Sequence, residues 1–407
     1  MNRGFYIILA AQFFSALADN ALLFAAIALL AGLSAPPWQI PVLQQFFVFS
    51  YIVLAPFVGP FADALPKGRV MFVANTVKLA GCGAMLAGLH PLYAYGIVGI
   101  GAAMYSPAKY GILTEYLPGN RLVWANGWME GLTVAAIILG AIVGGLLLAP
   151  EFAAQVLALH TPDAGRAIKS APEIAIAVIV AIYVIAAIFN LYIPRVALDH
   201  KLPSKRLTFV LHDFWHCFKQ LWRDPLGQVS LAVTTLFWGA GATLRLIVLA
   251  WAMLALNFDL EQATQLTAVV AVGIAIGSMI AAKFVNLEKA VRVLPIGIAM
   301  GAVVIAMVFV TDWRIAILLL MIIGGIAGFF VVPMNALLQH RGHLLMGAGH
   351  SIAVQNFNEN LSILLMLGAY ALMIRADLAI STIMVLFGLF MSAVMMYLCR
   401  KHWHDQD

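Results

Sequence analysis

Phe13-Phe14-Ser15-Ala16-Leu17-Ala18-Asp19-Asn20-Ala21-Leu22-Leu23-Phe24 sets an acid and an amide in the middle of an apolar run over 4–32. Counted from Arg3, the last charge before it, Asp19 lies about 24 Å along a helix that rises about 1.5 Å per residue. That is past the middle of a hydrocarbon layer about 30 Å thick, where an ionisable side chain costs a few kcal/mol or more unless it meets a partner or a polar cavity. The run reads as a membrane helix, and Asp19 as either part of a binding site or half of a structural ion pair.

The rest of the chain agrees with a membrane setting. Of 407 residues, 63% are hydrophobic and only 10% charged, and the mean hydropathy is +0.97. Soluble domains carry about 25% charged residues, so a soluble fold is excluded. The apolar runs are long and interrupted by Gly and Pro, which suits helices and not the alternating strands of a barrel. The first run is too long for a signal-peptide core and has no convincing small-x-small cleavage site, so it is expected to be retained. Cys82, Cys217 and Cys399 are too far apart for a metal motif or a disulfide framework.

Apolar stretches and their charged or turn-rich breaks predict twelve spans: 4–32, 40–62, 69–89, 92–117, 121–149, 172–193, 226–256, 260–285, 288–310, 313–338, 343–372 and 377–400. Most loop Lys and Arg fall on the side of the N-terminus, among them Lys67, Arg69, Arg121, Lys201, Lys205, Arg206, Lys289, Arg341 and Lys401. Arg166, Lys169, Arg314 and Arg375 fall on the other side. The bias puts both termini in the cytoplasm. The longest cytoplasmic break, 194–225, contains an amphipathic stretch from Leu207 to Trp222, expected to lie at the membrane face or to pack under the bundle. The expected organisation is a six-helix bundle over 1–193, a linker over 194–225 and a second six-helix bundle over 226–407.

The halves repeat weakly. Gly101-Ala-Ala-Met-Tyr-Ser-Pro107 resembles Gly325-Ile-Ala-Gly-Phe-Phe-Val-Val-Pro333, and Lys67-Gly68-Arg69 has a counterpart in Glu288-Lys289-Ala290-Val291-Arg292. Aligning Phe14 with Phe237 carries Leu22 to Arg245, so Asp19 and Arg245 take near-equivalent places in spans one and seven. A 6+6 repeat with a long central loop describes a two-half transporter that binds substrate between its halves. Asp19 and Arg245 can form an intramembrane pair, or divide a zwitterionic substrate, since a planar guanidinium suits phosphate and a carboxylate suits ammonium. Asn20 adds a donor and an acceptor beside the acid.

Other polar groups lie in the spans. Lys78, nearly ten residues from either end of span three, pairs with an acid or meets substrate. Lys109, beside Tyr110, either snorkels or faces a cavity, and Glu115 at the end of the same span reads as a surface or latch charge. Asn126 and Glu130 stand one turn apart in span five, and span eleven packs Gln355-Asn356-Phe357-Asn358-Glu359-Asn360. Interhelical hydrogen bonds and a wet charged cavity both account for them. No Walker A segment, zinc-protease His pair or nucleophile elbow is present, and the His402-to-Asp407 spacing lies in a polar tail, so neither an enzyme nor a resident metal or cofactor is expected.

Gly59-Pro-Phe-Ala-Asp63-Ala-Leu-Pro-Lys67-Gly68-Arg69 resembles the loop between spans two and three of the major facilitator superfamily, with two extra residues before Gly68. Asp63, Lys67 and Arg69 are therefore gating candidates that latch one state. Ala11-Gln-Phe-Phe-Ser-Ala-Leu-Ala-Asp19-Asn20, Tyr105-Ser-Pro-Ala-Lys109-Tyr-Gly-Ile-Leu-Thr-Glu115, Phe237-Trp-Gly-Ala-Gly-Ala-Thr-Leu-Arg245, Val331-Val-Pro-Met-Asn335-Ala-Leu-Leu-Gln339 and Ala353-Val-Gln-Asn356-Phe-Asn-Glu359-Asn360 together resemble the bacterial lysophospholipid transporters. His350 departs from that pattern, standing where an amide is expected. The resemblance implies an all-α membrane protein with the major facilitator fold, twelve transmembrane helices in two pseudo-symmetric halves. It implies import of lysophosphatidylethanolamine, and of lysophosphatidylglycerol, from the outer to the inner leaflet of the inner membrane. A separate acyltransferase–acyl carrier protein synthetase would then reacylate the lipid. With such a substrate the expected site comprises Asp19, Asn20, Lys78, Lys109, Tyr110, Glu130, Arg245, Asn356 and Glu359, with the tail in membrane lipid or in an apolar groove. A proton-coupled exporter of amphiphilic drugs and a non-transporting scaffold for an acyltransferase are the competing readings.

Overall fold

A computed structural model describes residues 3–35, 39–149, 170–196, 207–258 and 260–402. The loop charges Arg166, Lys169, Lys201, Lys205 and Arg206, and Asp407 of the polar tail, lie outside the described residues. Thirteen α-helices and no strand occur among the described residues: α1 (Arg3–Gly32), α2 (Gln39–Ala64), α3 (Lys67–Leu86), α4 (Pro91–Tyr116), α5 (Leu122–Leu147), α6 (Ala171–Leu191), α7 (Leu207–Arg223), α8 (Pro225–Ala255), α9 (Leu260–Phe284), α10 (Leu294–Ala306), α11 (Trp313–Met346), α12 (Ala348–Arg375) and α13 (Ile380–Lys401).

Ten of the described helical segments are long and apolar enough to cross a membrane. The helices α3 and α4 occupy the expected spans 69–89 and 92–117 but are not among the ten. Their composition explains this: α3 carries Lys67, Arg69 and Lys78, and α4 carries Lys109 and Glu115 amid many Gly and Tyr. Several of these charges are the ones that build the sites below.

The helices group into two compact units, one of residues 1–115, 135–213 and 348–353, the other of 116–134, 214–347 and 354–407. In the first, Leu22 and Leu30 of α1, Leu43 of α2, and Ile176, Ile179 and Tyr183 of α6 belong to one buried apolar cluster. In the second, α9 and α11 approach closely through Gly273-x3-Gly277 and Gly324-x3-Gly328. A Cβ at Gly277 would strike the backbone of Gly325, and one at Gly324 the carbonyl of Val270. Small residues at such spacing let helices in lipid gain packing and weak hydrogen bonds that larger side chains would block.

The amphipathic α7 is a packed connector. Cys217 and Leu221 are buried with Leu231, Leu338 and Val354, with Phe214, Phe218 and Trp222 against them, so protein takes up much of its apolar face. Asp224 turns the chain into α8: its carboxylate caps the helix by accepting the Gly227 N–H at 2.8 Å and accepts Arg341 Nε of α11 at 3.0 Å. Arg341 Nη2 bonds the other carboxylate oxygen, making the pair bidentate. Burial pushes the Asp224 carboxyl up, but the Arg341 hydrogen bonds, the Gly227 N–H and the Arg341 charge outweigh it and hold the group below the ordinary aspartate range.

Candidate functional site

Three polar networks are built from the charges set in these helices. The first surrounds Asp19. Lys78 Nζ of α3 lies 2.7 Å from Asp19 Oδ2, and Tyr183 of α6 donates its hydroxyl to Asp19 Oδ1 at 2.6 Å. Lys78 also donates to Ser15 Oγ at 3.1 Å, and Ser15 donates to Asn75 Oδ1 at 3.0 Å. The ammonium stands 4.8 Å from the Tyr105 ring centroid and 5.6 Å from that of Tyr183, a cation between two aromatic faces. The side chain of Lys78 is 1% exposed and that of Asp19 22%, so the acid alone offers an open face.

The second network gathers at the C-terminal end of α2 and the start of α12. Gly347, with φ of 99°, closes α11 and starts α12 one residue later. The first turn of α12 then aims its free amides at Asp63. Gly349 N–H donates to Oδ1 at 2.7 Å and His350 N–H to Oδ2 at 3.1 Å, a carboxylate at a helix N-terminus. A Cβ at Gly349 would meet Asp63 Oδ1 and the Gly59 carbonyl at 2.6 Å, so this approach requires glycine. The His350 imidazole bridges Asp63 and Asp213 of α7. Lys67 completes the cluster, 2.8 Å from Asp63 and 2.9 Å from Glu115 of α4, all three side chains buried.

The third network belongs to the second unit. Asn126 of α5 and Gln339 of α11 exchange amide hydrogen bonds of 2.9 and 2.8 Å. One turn further along α5, Glu130 accepts from Asn335 Nδ2 at 3.4 Å. Gln355 Nε2 of α12 donates to Asn335 Oδ1 at 2.9 Å and to Glu359 Oε1 at 2.7 Å. Glu130 and Glu359 are thus joined through two amides. A Cβ at Gly127 would crowd Ala282 and the Ser278 carbonyl of α9, so its absence lets α5 approach.

The profile of the Major Facilitator Superfamily matches residues 8–365. The chain is 46% identical over 376 residues to the lysophospholipid transporter LplT of Yersinia enterocolitica serotype O:8 / biotype 1B (strain NCTC 13174 / 8081), covering 92% of this chain and 88% of that protein. The figures are the same for LplT of Yersinia pestis (strain Pestoides F). This chain belongs to the lysophospholipid transporter family of the Major Facilitator Superfamily. Solved structures agree on the fold. The superfamily transporter FucP in an outward conformation superposes with a TM-score of 0.74 at 14% identity, covering 97% of each chain. A bacterial homologue of the iron transporter ferroportin gives 0.72 at 14% identity, covering 98% of this chain and 100% of that one.

Within this family member, some of the predicted site residues meet and others do not. Asp19 meets Lys78, and Asp63 meets Lys67. Glu130 and Glu359 share a network, while Asn356 is buried nearby in sequence. Lys109 is buried with its ammonium 4.4 Å from the Tyr110 ring centroid. Asn20 turns back to donate to its own helix at Ala16 O, 2.8 Å away. The internal repeat points to Arg245 as the counterpart of Asp19, but the acid takes its cation from Lys78, and Arg245 is exposed on α8. Arg69 is exposed and is not part of the Asp63 cluster.

Sequence reasoning missed Tyr183, Asp213 and Asn75, and set Glu115 aside as a surface or latch charge. Tyr183 is a single hydroxyl in an apolar helix, and Asp213 a single acid in an amphipathic one; neither stands out until the helices are packed. His350 carried a signal, as the residue that departs from the family pattern. Among the described residues no group of three or more His, Cys, Asp or Glu is placed to hold a metal ion.

Proposed function

We propose that this chain is a multi-pass inner-membrane transporter that moves lysophospholipids, with lysophosphatidylethanolamine as the main substrate, from the outer to the inner leaflet. The observation that carries the reading is the 46% identity over 92% of the chain to lysophospholipid transporters. The polar networks support it, because a lipid head carrying phosphate and ammonium needs charged and hydrogen-bonding groups to replace water within the membrane. Asp19, with an open face, supplies a carboxylate for the ammonium, and the exposed Arg245 a planar guanidinium for the phosphate. Lys109, Tyr110, Glu130, Asn356 and Glu359 make up the polar remainder of the site.

The cycle we propose is alternating access of two six-helix halves, 1–193 and 226–407, joined by the 194–225 segment, with twelve spans and both termini in the cytoplasm. In this cycle Asp63, Lys67, Glu115, His350 and Asp213 form the latch that closes one state. The product is handed to a separate acyltransferase–acyl carrier protein synthetase for reacylation.

Purified protein in vesicles, with labelled lysophosphatidylethanolamine on one side, tests this directly. Protein-dependent movement of the label to the other leaflet is expected. Folded protein that moves no lipid but drives protons in response to amphiphilic drugs would overturn the lipid reading.

A further inference from the structure

The Asp19 carboxylate is charge-balanced from within the protein. Lys78 reaches it from α3 at 2.7 Å while its own side chain is only 1% exposed. The arrangement is built for a lysine stem: a Cβ at Gly101 of α4 would meet Lys78 Cγ at 2.6 Å, so α4 leaves out a side chain where the stem passes. Ser15 Oγ and the Tyr105 and Tyr183 rings hold the ammonium on its other sides. An incoming lipid head therefore meets a carboxylate whose charge is already offset, and it cannot reach the buried ammonium.

We infer that Lys78 is a specificity-determining residue that never touches the lipid: by neutralising Asp19 it lets the site accept anionic lysolipid heads as well as zwitterionic ones. An isolated carboxylate in a medium of low dielectric would attract an ammonium and repel a head whose only charge is its phosphate. The neutral pair removes that repulsion, and Asp19 can still turn its open face to an ammonium. The inference rests on the lysophospholipid reading and goes beyond it by naming what sets the tolerance for head charge.

The experiment is vesicle flipping by the purified protein at pH 8, with labelled lysophosphatidylethanolamine and lysophosphatidylglycerol in parallel, read as the ratio of glycerol-head to ethanolamine-head rates. Lys78→Met keeps most of the stem and removes the charge. It is expected to lower the ratio about tenfold, the change that 1.4 kcal/mol of differential stabilisation gives. Asp19→Asn combined with Lys78→Met leaves a neutral pair with no carboxylate to repel the phosphate or attract the ammonium, and is expected to raise the ratio from the Lys78→Met value to at least the wild-type one. Asp19→Asn alone leaves the ammonium and is expected to raise the ratio, so the inference stays testable if Lys78→Met does not fold. An unmoved ratio in folded Lys78→Met or Asp19→Asn protein would overturn it, as would wild-type protein that moves only the ethanolamine lipid. Wild-type protein that moves neither lipid would instead overturn the transport reading itself.

Discussion

The imidazole of His350 sits against the carboxylate of Asp63, Nδ1 2.6 Å from Oδ2, and its far nitrogen lies 3.1 Å from Asp213 Oδ2. One side chain thus ties α12 to both α2 and α7, and two first-turn amides of α12, those of Gly349 and His350, are bound to the Asp63 carboxylate. Removing a partner from a buried hydrogen-bonded group costs about 1–3 kcal/mol, because the remaining group has lost its water as well. His350→Ala should lower the melting temperature in detergent accordingly. His350→Gln, which keeps a polar group able to reach Asp63, should lose less. Equal stability in all three proteins would remove the latch role.

Asp63 itself makes more of these bonds than His350 does, so its loss should be the more damaging. Asp63→Ala would leave Lys67 with Glu115 and return two helix N-terminal amides to an unsatisfied state. Its stability loss should exceed that of His350→Ala, and adding His350→Ala to it should cost little further. Thermal melts of the two single variants and the double variant measure this non-additivity, which residues in one network show and independent ones do not.

These clusters mark how far the sequence could be read. An acid inside an apolar run announces itself, so Asp19 stood out at once, and the family-like motifs placed Asp63 and Lys67 together. Their partners did not follow from the same reading. Lys78 is 59 residues from Asp19, Tyr183 is 164, and His350 is 287 from Asp63. Hydropathy shows that a helix crosses the membrane, but not which face it turns to which neighbour when every face is apolar. The internal repeat supplied a pairing rule and pointed to Arg245, whereas Lys78, in the same unit as Asp19, supplies the cation. Glu115 looked peripheral because it lies at a helix end, yet its side chain is only 7% exposed against Lys67.

Asp224 makes stability depend on pH in a definite direction. Its folded carboxyl is held below the ordinary aspartate value of 3.8, so the unfolded chain binds the proton more readily than the folded one. The contribution is fully present above that ordinary value and is lost as pH falls through the lowered folded value. Asp224→Asn keeps a side chain able to cap α8 but loses the charge on Arg341. Melts at neutral pH should show the variant less stable than wild type. The gap should close as pH is lowered below 4, and a gap independent of pH would contradict the assignment.

Close approach of α9 and α11 predicts opposite fates for two glycines. A Cβ at Gly324 would collide with the backbone of α9, and backbone cannot swing aside as the end of a side chain can. Gly324→Ala should force the helices apart, lowering both the melting temperature and the yield of monodisperse protein. Gly83 of α3 has nothing within 4 Å of its would-be Cβ. Gly83→Ala removes a residue that costs about 1 kcal/mol in a helix and should leave stability equal or higher. The same loss at both positions would show that helix propensity decides, and not interhelical packing.

The amides of Asn126 and Gln339 form a closed exchange, each donating to the other at 2.9 and 2.8 Å, with Asn126 Nδ2 also donating to Leu122 O at 2.9 Å. Both side chains are buried, so either amide left alone would lose its interhelical partner. Interhelical hydrogen bonds in membranes contribute about 0.6 kcal/mol on average and up to about 1.7, since the separated helices find other partners. A reciprocal pair contains two such bonds and should lie toward the upper end. In a cycle of Asn126→Leu, Gln339→Leu and the double variant, each single change should destabilise by more than half the double. A double variant that costs the sum of the singles would mean that the two amides act independently, and the exchange would not be what joins α5 to α11 at this level.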